Sequence, residues 1–273
     1  MNNKYTIKTY QLKKELPNEP QAKSLRFVFV SDLHNHEFGP DNLLLLQEIE
    51  RLNPDAVLVG GDTMVGKADS PMDVALDFIT ALADRFPVYY ANGNHEYRLR
   101  IYPEQYKDMY QRFLEVIHRE GVHHLVNRSI YTEFRGVPVA IHGFEADRKY
   151  YHRFKKADMP VSYLNDIFGR PDPDYYHILL AHNPDYIHTY LKWGADLTLS
   201  GHCHGGVMRL GEHYGLISPN MKLFYPYAHG LFYGENNNCM LVSAGLGEHT
   251  IPVRLFNPRE LVVVSVDFSN KQN

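Results

Sequence analysis

Seven residues of three chemical types recur in short polar clusters along the chain. They are Asp32 and His34 in "SDLHN", Asp62 in "GGD", Asn94 in "GNHE", His182 in "AHNP", and His202 and His204 in "SGHCHGG". Carboxylate, amide oxygen and imidazole make up the donor set of borderline divalent metals, and Mn, Fe and Zn all accept it. Seven donors are too many for one tetrahedral zinc. They suit two ions that share a carboxylate, at the separation of roughly 3.5–4 Å usual in two-metal hydrolytic sites. The charge of two divalent ions exceeds that of Asp32, Asp62 and a bridging hydroxide together, so such a site attracts an anionic phosphoryl group and a nucleophile at once.

"SGHCHGG" also invites reading as a zinc knuckle or a redox thiol. In an extended backbone, residues i and i+2 project to the same side. Asp32 with His34, and His202 with His204, are therefore expected to face one centre, while Leu33 and Cys203 turn away. No second Cys-x-His or Cys-x-x-Cys pair completes a knuckle. The two cysteines, Cys203 and Cys239, cannot supply a disulfide framework and fit a reducing compartment.

Each cluster terminates or directly follows an apolar run, as expected where an α/β sheet places its site at the carboxyl ends of strands. The expected strands are "LRFVFVSD", "DAVLVGGD", "PVYYANGNHE", "VPVAIHGFE", "HILLAHNP", "ADLTLSGHCH", "MLVSAGLG" and "ELVVVSVDF". Helical patterns alternate with them. "DNLLLLQEIERLN" takes Asp41 as N-cap, and "SPMDVALDFITALADRF" takes Ser70 as N-cap, Pro71 at the first helical position and Asp73 in a capping box. A third helix is expected to start at Asn183-Pro184 and stop at Gly194. The 273 residues, 44% hydrophobic, are read as a single α/β domain over 1–273.

Composition narrows the function classes. The net charge is −4, so no nucleic-acid partner is expected. No stretch approaches the ~18 consecutive apolar residues of a membrane helix. The N-terminal residues carry neither an apolar export region nor twin arginines, and a cytoplasmic location is expected.

Taken in order, "SDLHN", "GGD", "GNHE", "AHNP" and "GHCHGG" resemble the calcineurin-like metallophosphoesterases over about residues 25–206. The tail "YPYAHGLF…VSAGLGEHTIPVRLFNPREL" resembles the bacterial branch with phosphodiesterase-like and UDP-diacylglucosamine-pyrophosphatase-like members. The resemblance implies a two-sheet mixed β-sandwich flanked by helices. It implies one metal on Asp32, His34, Asp62 and His204, a second on Asp62, Asn94, His182 and His202, and Asp62 as the bridge. His95 would hydrogen-bond the phosphoryl oxygen or protonate the leaving group. The sequence departs from the protein serine/threonine phosphatases, which follow the bridging aspartate with a further Asp-Arg-Gly: "GDTMVGKADS" has Val65 and Gly66 there.

Several residues carry two readings. Glu96 either orients His95 or caps the next helix. Asn35, His36, His249 and Arg254 either contact substrate at the rim or belong to solvated loops. His142 reads as structural, and His118, His123, His124, His177, His188 and His213 lack a carboxylate at ligand spacing. The 20 tyrosines, clustered in "DRKYYHRF" and "LFYPYAHGLFYG", either line a substrate wall or pack the core. The expected activity is hydrolysis of a small-molecule phosphodiester or pyrophosphate-linked substrate with two divalent ions. The alternatives are a phosphomonoesterase or nuclease of the same fold, or a catalytically silent scaffold.

Overall fold

A computed structural model describes residues 4–16, 23–151, 157–217, 223–248 and 253–270. The strands in chain order are β1 (Tyr5–Leu16), β2 (Lys23–Val30), β3 (Ala56–Val59), β4 (Val88–Ala91), β5 (Val122–Leu125), β6 (Arg128–Phe134), β7 (Val137–Phe144) and β8 (Tyr176–Ala181). They continue with β9 (Leu197–Ser200), β10 (Arg209–Leu210), β11 (Tyr214–Ile217), β12 (Leu223–Tyr225), β13 (Gly230–Tyr233), β14 (Cys239–Val242) and β15 (Arg259–Asn270). The helices are α1 (Leu43–Leu52), α2 (Asp73–Ala83), α3 (Asn94–Ile101), α4 (Pro103–Tyr106), α5 (Met109–Ile117), α6 (Val161–Phe168) and α7 (Ile187–Trp193).

Two six-stranded mixed sheets dominate, ordered β1-β15-β2-β3-β4-β5 and β13-β14-β9-β8-β7-β6, with a small β10-β11-β12 sheet beside them. Strand alternation builds the layers. In β2, Phe27 and Phe29 point inward to meet Ile141, Ile178, Leu180 and Leu199 of the second sheet. Val28 and Val30 point outward, onto Leu45 and Ile49 of α1 and Ile79 of α2. On the far side, Leu179, Met240 and Val242 are covered by Leu164 of α6 and Tyr190 and Trp193 of α7. The central parallel strands are thus buried on both faces, which is why they read as continuous apolar runs. The fold is the helix-flanked two-sheet α/β sandwich. Among the described residues, no helix is long and apolar enough to cross a membrane.

All eight expected strands form. One long strand escaped the periodicity: β1 pairs in parallel with β15 from Tyr5↔Arg259 to Leu16↔Asn270 at the sheet edge. Its mostly exposed residues carry no apolar run. Two helix starts also differ. Asn42 precedes α1, and its Oδ1 accepts from the Phe38 N–H (2.9 Å), while Asp41 sits inside a preceding 3₁₀ turn. Helix α2 begins only at Asp73: the Ser70 N–H closes a separate turn onto the Lys67 carbonyl (3.1 Å), and the Pro71 carbonyl accepts from Asn35 Nδ2 (2.6 Å). The third helix starts as expected. Asn183 Oδ1 accepts from Asp185 N–H (3.0 Å), a 3₁₀ turn over Pro184–Tyr186 leads into α7, and left-handed Gly194 (φ 102°) ends it.

Neighbouring strands β7 and β8 bury a chain of neutral imidazoles. His177 Nε2 donates to the Asp172 carbonyl (2.7 Å), so its Nδ1 accepts from His142 Nε2 (2.9 Å), and His142 Nδ1 accepts from the Ser129 hydroxyl (2.6 Å). Burial, with His177 alongside, pushes His142 down to about 3. A free imidazole titrates at about 6.5, so the unfolded chain binds more protons between those values. His142 therefore favours the folded state fully above about pH 6.5, and this advantage is lost as the pH falls through that window. His142→Gln should flatten the decline in Tm between pH 7 and pH 5 relative to the parent. An unchanged slope in thermal melts would refute the assignment.

Candidate metal centre

The turns after β2, β3 and β9 and the N-terminus of α3 converge on one centre. Asp32 (φ 52°), His34 (48°), Asp62 (52°), His202 (67°) and His204 (48°) all occupy the left-handed region. The extended backbone expected at these pairs is therefore not what orients them. Tight turns aim these side chains, at roughly 1–3 kcal/mol each for a non-glycine residue. Backbone bonds hold the turns: Asp32 N–H to Gly61 O (3.0 Å), His34 N–H to Asp62 O (3.2 Å) and Asn35 N–H to Thr63 O (2.9 Å). Leu33 is buried, and Cys203 packs with Tyr225 and Ala228, outside the ligand groups. Close approach requires glycine at two points. A Cβ on Gly201 would lie 2.1 Å from Asp32 Oδ2, and one on Gly93 2.2 Å from Asp62 Oδ1.

Among the described residues, donor atoms gather into three overlapping groups: Asp32, His34 and His204; His34, Asp62 and His95; and Asp62, His182 and His202. His34 Nε2 and His204 Nε2 are 3.1 Å apart, and His204 Nε2 is 3.4 Å from Asp32 Oδ1. Asp62 Oδ1 accepts from the His95 N–H (2.7 Å), leaving Oδ2 to face His182 Nε2 at 3.0 Å, His95 Nε2 at 3.8 Å and His34 Nε2 at 4.0 Å. His182 Nδ1 donates to the Gly60 carbonyl (2.7 Å), so in the neutral ring the Nε2 lone pair points at the carboxylate. Asn94 Oδ1 is buried without a hydrogen-bond partner. Clustered carboxylate and imidazole donors, together with a buried amide oxygen that has no partner, make a donor set that fits divalent metal.

The paired carboxylates draw positive charge into the centre. Burial lifts Asp32 to about 6, with Asp62 adding to the rise. Burial alone would lower His182, but the Asp62 and Asp32 carboxylates raise it to about 10. Burial likewise pushes Asp62 up, yet the surrounding His182, His95 and His34 imidazoles hold it well below the usual carboxylate range.

Glu96 proves to be a cap. Fully buried, it accepts through Oε2 from the Asp62 and Gly93 N–H groups (both 2.9 Å), and through Oε1 from the Thr63 N–H and the Tyr90 hydroxyl (both 2.9 Å). His95 is oriented instead by the Gly66 N–H, which donates to its Nδ1 (2.5 Å) and leaves Nε2 as the proton-bearing nitrogen of the neutral ring. Gly66 carried no sequence signal beyond its place in "GDTMVGKADS".

The rim residues divide. Asn35 Nδ2 is tied to Pro71, and its Oδ1 is buried without a partner. His36 is edge-on to Phe38 at 4.7 Å, and burial with Arg259 and Arg254 nearby lowers it to about 4. Arg254 Nη2 donates to the Ala244 (2.9 Å) and Gly247 (2.6 Å) carbonyls. His249 lies outside the described residues. Of the tyrosine clusters, Tyr150 packs in the core, and the Tyr225 hydroxyl donates to Asp185 (2.8 Å). Tyr151, stacked on Tyr97 at 5.9 Å, is raised by burial and by the Glu145 and Asp62 charges.

Residues 25–206 match the family model described as calcineurin-like phosphoesterase. The chain belongs to that family. It is 27% identical over 244 residues to the uncharacterized protein YpbG of Bacillus subtilis, covering 89% of this chain and 81% of the relative. It is 26% identical over 239 residues to the uncharacterized metallophosphoesterase YkoQ of the same organism, covering 86% and 81%. A metallophosphoesterase of Aquifex aeolicus is 24% identical over 268 residues, covering 96% and 90%. Membership makes the chain a metallophosphoesterase-family protein with a centre able to hold metal.

Proposed function

We propose that the chain, acting as one domain, is a dinuclear metal-dependent phosphoesterase that hydrolyses phosphodiester or pyrophosphate-linked small molecules. The observation that carries this reading is the disposition of Asp62. One of its oxygens is fixed by a backbone N–H (2.7 Å) and the other faces the His182 and His34 sides of the centre together. Asp32, His34, Asp62 and His204 would hold one ion, and Asp62, Asn94, His182 and His202 the other. Ions bound there would supply Lewis acidity and a water-derived nucleophile near neutral pH.

The chain's own residues do the remaining work. His95 presents Nε2–H to the same space as Asp62 Oδ2, where it donates to a phosphoryl oxygen or to the departing oxygen. Gly66 fixes that tautomer, and the Glu96 carboxylate pins the Asp62 turn to the start of α3. Asn35 and His36 are proposed to contact substrate at the rim. The low cysteine count supports a reducing, cytoplasmic location, and the net charge of −4 argues against a nucleic-acid substrate.

Substrate class follows from charge. A monoester dianion is usually met by an arginine fork beside the metals, since guanidinium pairs bidentately with phosphate oxygens. Here the Asp-Arg-Gly arginine is missing and the Nη2 donors of Arg254 go to backbone carbonyls. Bis-nitrophenyl phosphate should therefore be cleaved with kcat/KM at least equal to that for nitrophenyl phosphate under identical Mn²⁺ loading. A clear monoester preference would overturn the substrate class and leave the metal centre untouched.

A further inference from the structure

The metal turns are held from behind by a stretch of chain that lies beyond the family-matched residues. Asn257 is 2% exposed, and its Nδ2 donates one hydrogen to the His204 carbonyl (2.5 Å) and the other to the Gly206 carbonyl (2.7 Å). Both carbonyls sit in a left-handed turn that no sheet ladder satisfies, so a side-chain donor must satisfy them. Gly205 between them has φ 68°, and a Cβ there would lie 2.2 Å from Asn257 Oδ1, so the amide is seated directly on the turn.

Arg254 performs the matching task for the Asp32 turn. Both hydrogens of Nη2 go to carbonyls of the 244–247 loop, Ala244 at 2.9 Å and Gly247 at 2.6 Å. That loop bonds in turn to the strand end carrying Asp32: Leu246 N–H to Ser31 O (3.1 Å) and Gly247 N–H to Asp32 O (2.6 Å). Glu260 anchors the far end by accepting from the Ala244 N–H (2.8 Å), and its other oxygen meets His229 Nε2 at 2.8 Å.

We infer that Arg254 and Asn257 are positioning residues that set metal affinity by clamping the Asp32 and His204 turns, and that Arg254 does not serve as a phosphate ligand. The inference rests on the dinuclear reading above. Residues that orient first ligands typically govern metal affinity by about 10–100-fold. With Nη2 on the Ala244 and Gly247 carbonyls and 3.3 Å from His204 Nδ1, and Nη1 3.5 Å from the His204 carbonyl, the guanidinium braces the loop and the His204 turn together, and its charge acts on substrate through the ligands it places.

The test uses the full chain, stripped by chelator and titrated calorimetrically with Mn²⁺, followed by kcat and KM for bis-nitrophenyl phosphate at saturating Mn²⁺. Asn257→Asp keeps shape but loses the donating NH₂, and Arg254→Ala loses the clamp. Each should weaken Mn²⁺ binding by about 10–100-fold. At saturating metal, KM should stay near the parent value and kcat should largely recover. Arg254→Lys, able to reach a single carbonyl, should fall between parent and Ala. Tight Mn²⁺ binding by the parent with unchanged affinity in both variants overturns this inference alone. So does a rise in KM in Arg254→Ala without loss of metal affinity, which marks a phosphate contact. A parent that binds no Mn²⁺ overturns the dinuclear reading and this inference with it.

Discussion

Asp62→Ala is expected to lose both metal ions and essentially all hydrolysis in one step. Oδ2 faces both halves of the centre, at 3.0 Å from His182 and 4.0 Å from His34. Its removal takes from His182 and His202 the carboxylate of their group, and from Asp32, His34 and His204 the edge shared with it. Groups that act as a unit fail together, so the expected fall in kcat is roughly 10⁴–10⁶-fold. Metal analysis of the purified variant should read well below the parent. Cys203→Ser serves as the control: that side chain packs with Tyr225 and Ala228 away from the ligands, so metal content should hold. A variant that lost activity but kept both ions would show that Asp62 does not bridge.

His95→Ala should behave in the opposite sense. His95 Nε2 lies 3.8 Å from Asp62 Oδ2 and its other nitrogen is occupied by the Gly66 N–H, so the ring can donate into the centre without being needed to fill it. The variant should keep its ions and lose roughly 10²–10⁴-fold in kcat, the range of a positioned general acid. Gly66→Ala should move kcat the same way by less, because the added Cβ would sit 3.0 Å from His95 Cα and Nδ1 and displace the ring. Loss of metal in His95→Ala as severe as in Asp62→Ala would make His95 a ligand and reverse its assigned role.

The parts of this site that were legible in sequence are those with a local signature. Buried parallel strands announce themselves as apolar runs, and the polar residues that close them mark the sheet's carboxyl edge. What period-two reasoning could not supply was the turn geometry. Asp32 and His34, like His202 and His204, share a direction because their φ angles are positive, a property set by hydrogen bonds to Gly61, Asp62 and Asp32 from distant segments. Strand β1 was hidden for a different reason: an edge strand with mostly exposed side chains has no apolar face to reveal it. The work of Gly66, Arg254 and Asn257 is wholly non-local, spanning 29, 10 and 53 residues to their partners, so no spacing rule reaches it. Glu96 was ambiguous because a carboxylate three residues into a helix suits a cap and a histidine partner equally, and only the four groups it accepts from decide for the cap.

The central claim, two ions joined through Asp62, is tested most directly by counting and locating them. Chelator-stripped protein re-equilibrated with Mn²⁺ should bind two ions per chain, and anomalous scattering from its crystals should place two peaks roughly 3.5–4 Å apart, both beside Asp62. A single peak remote from Asp62, or full hydrolysis in excess chelator with metal shown to be absent, would contradict it.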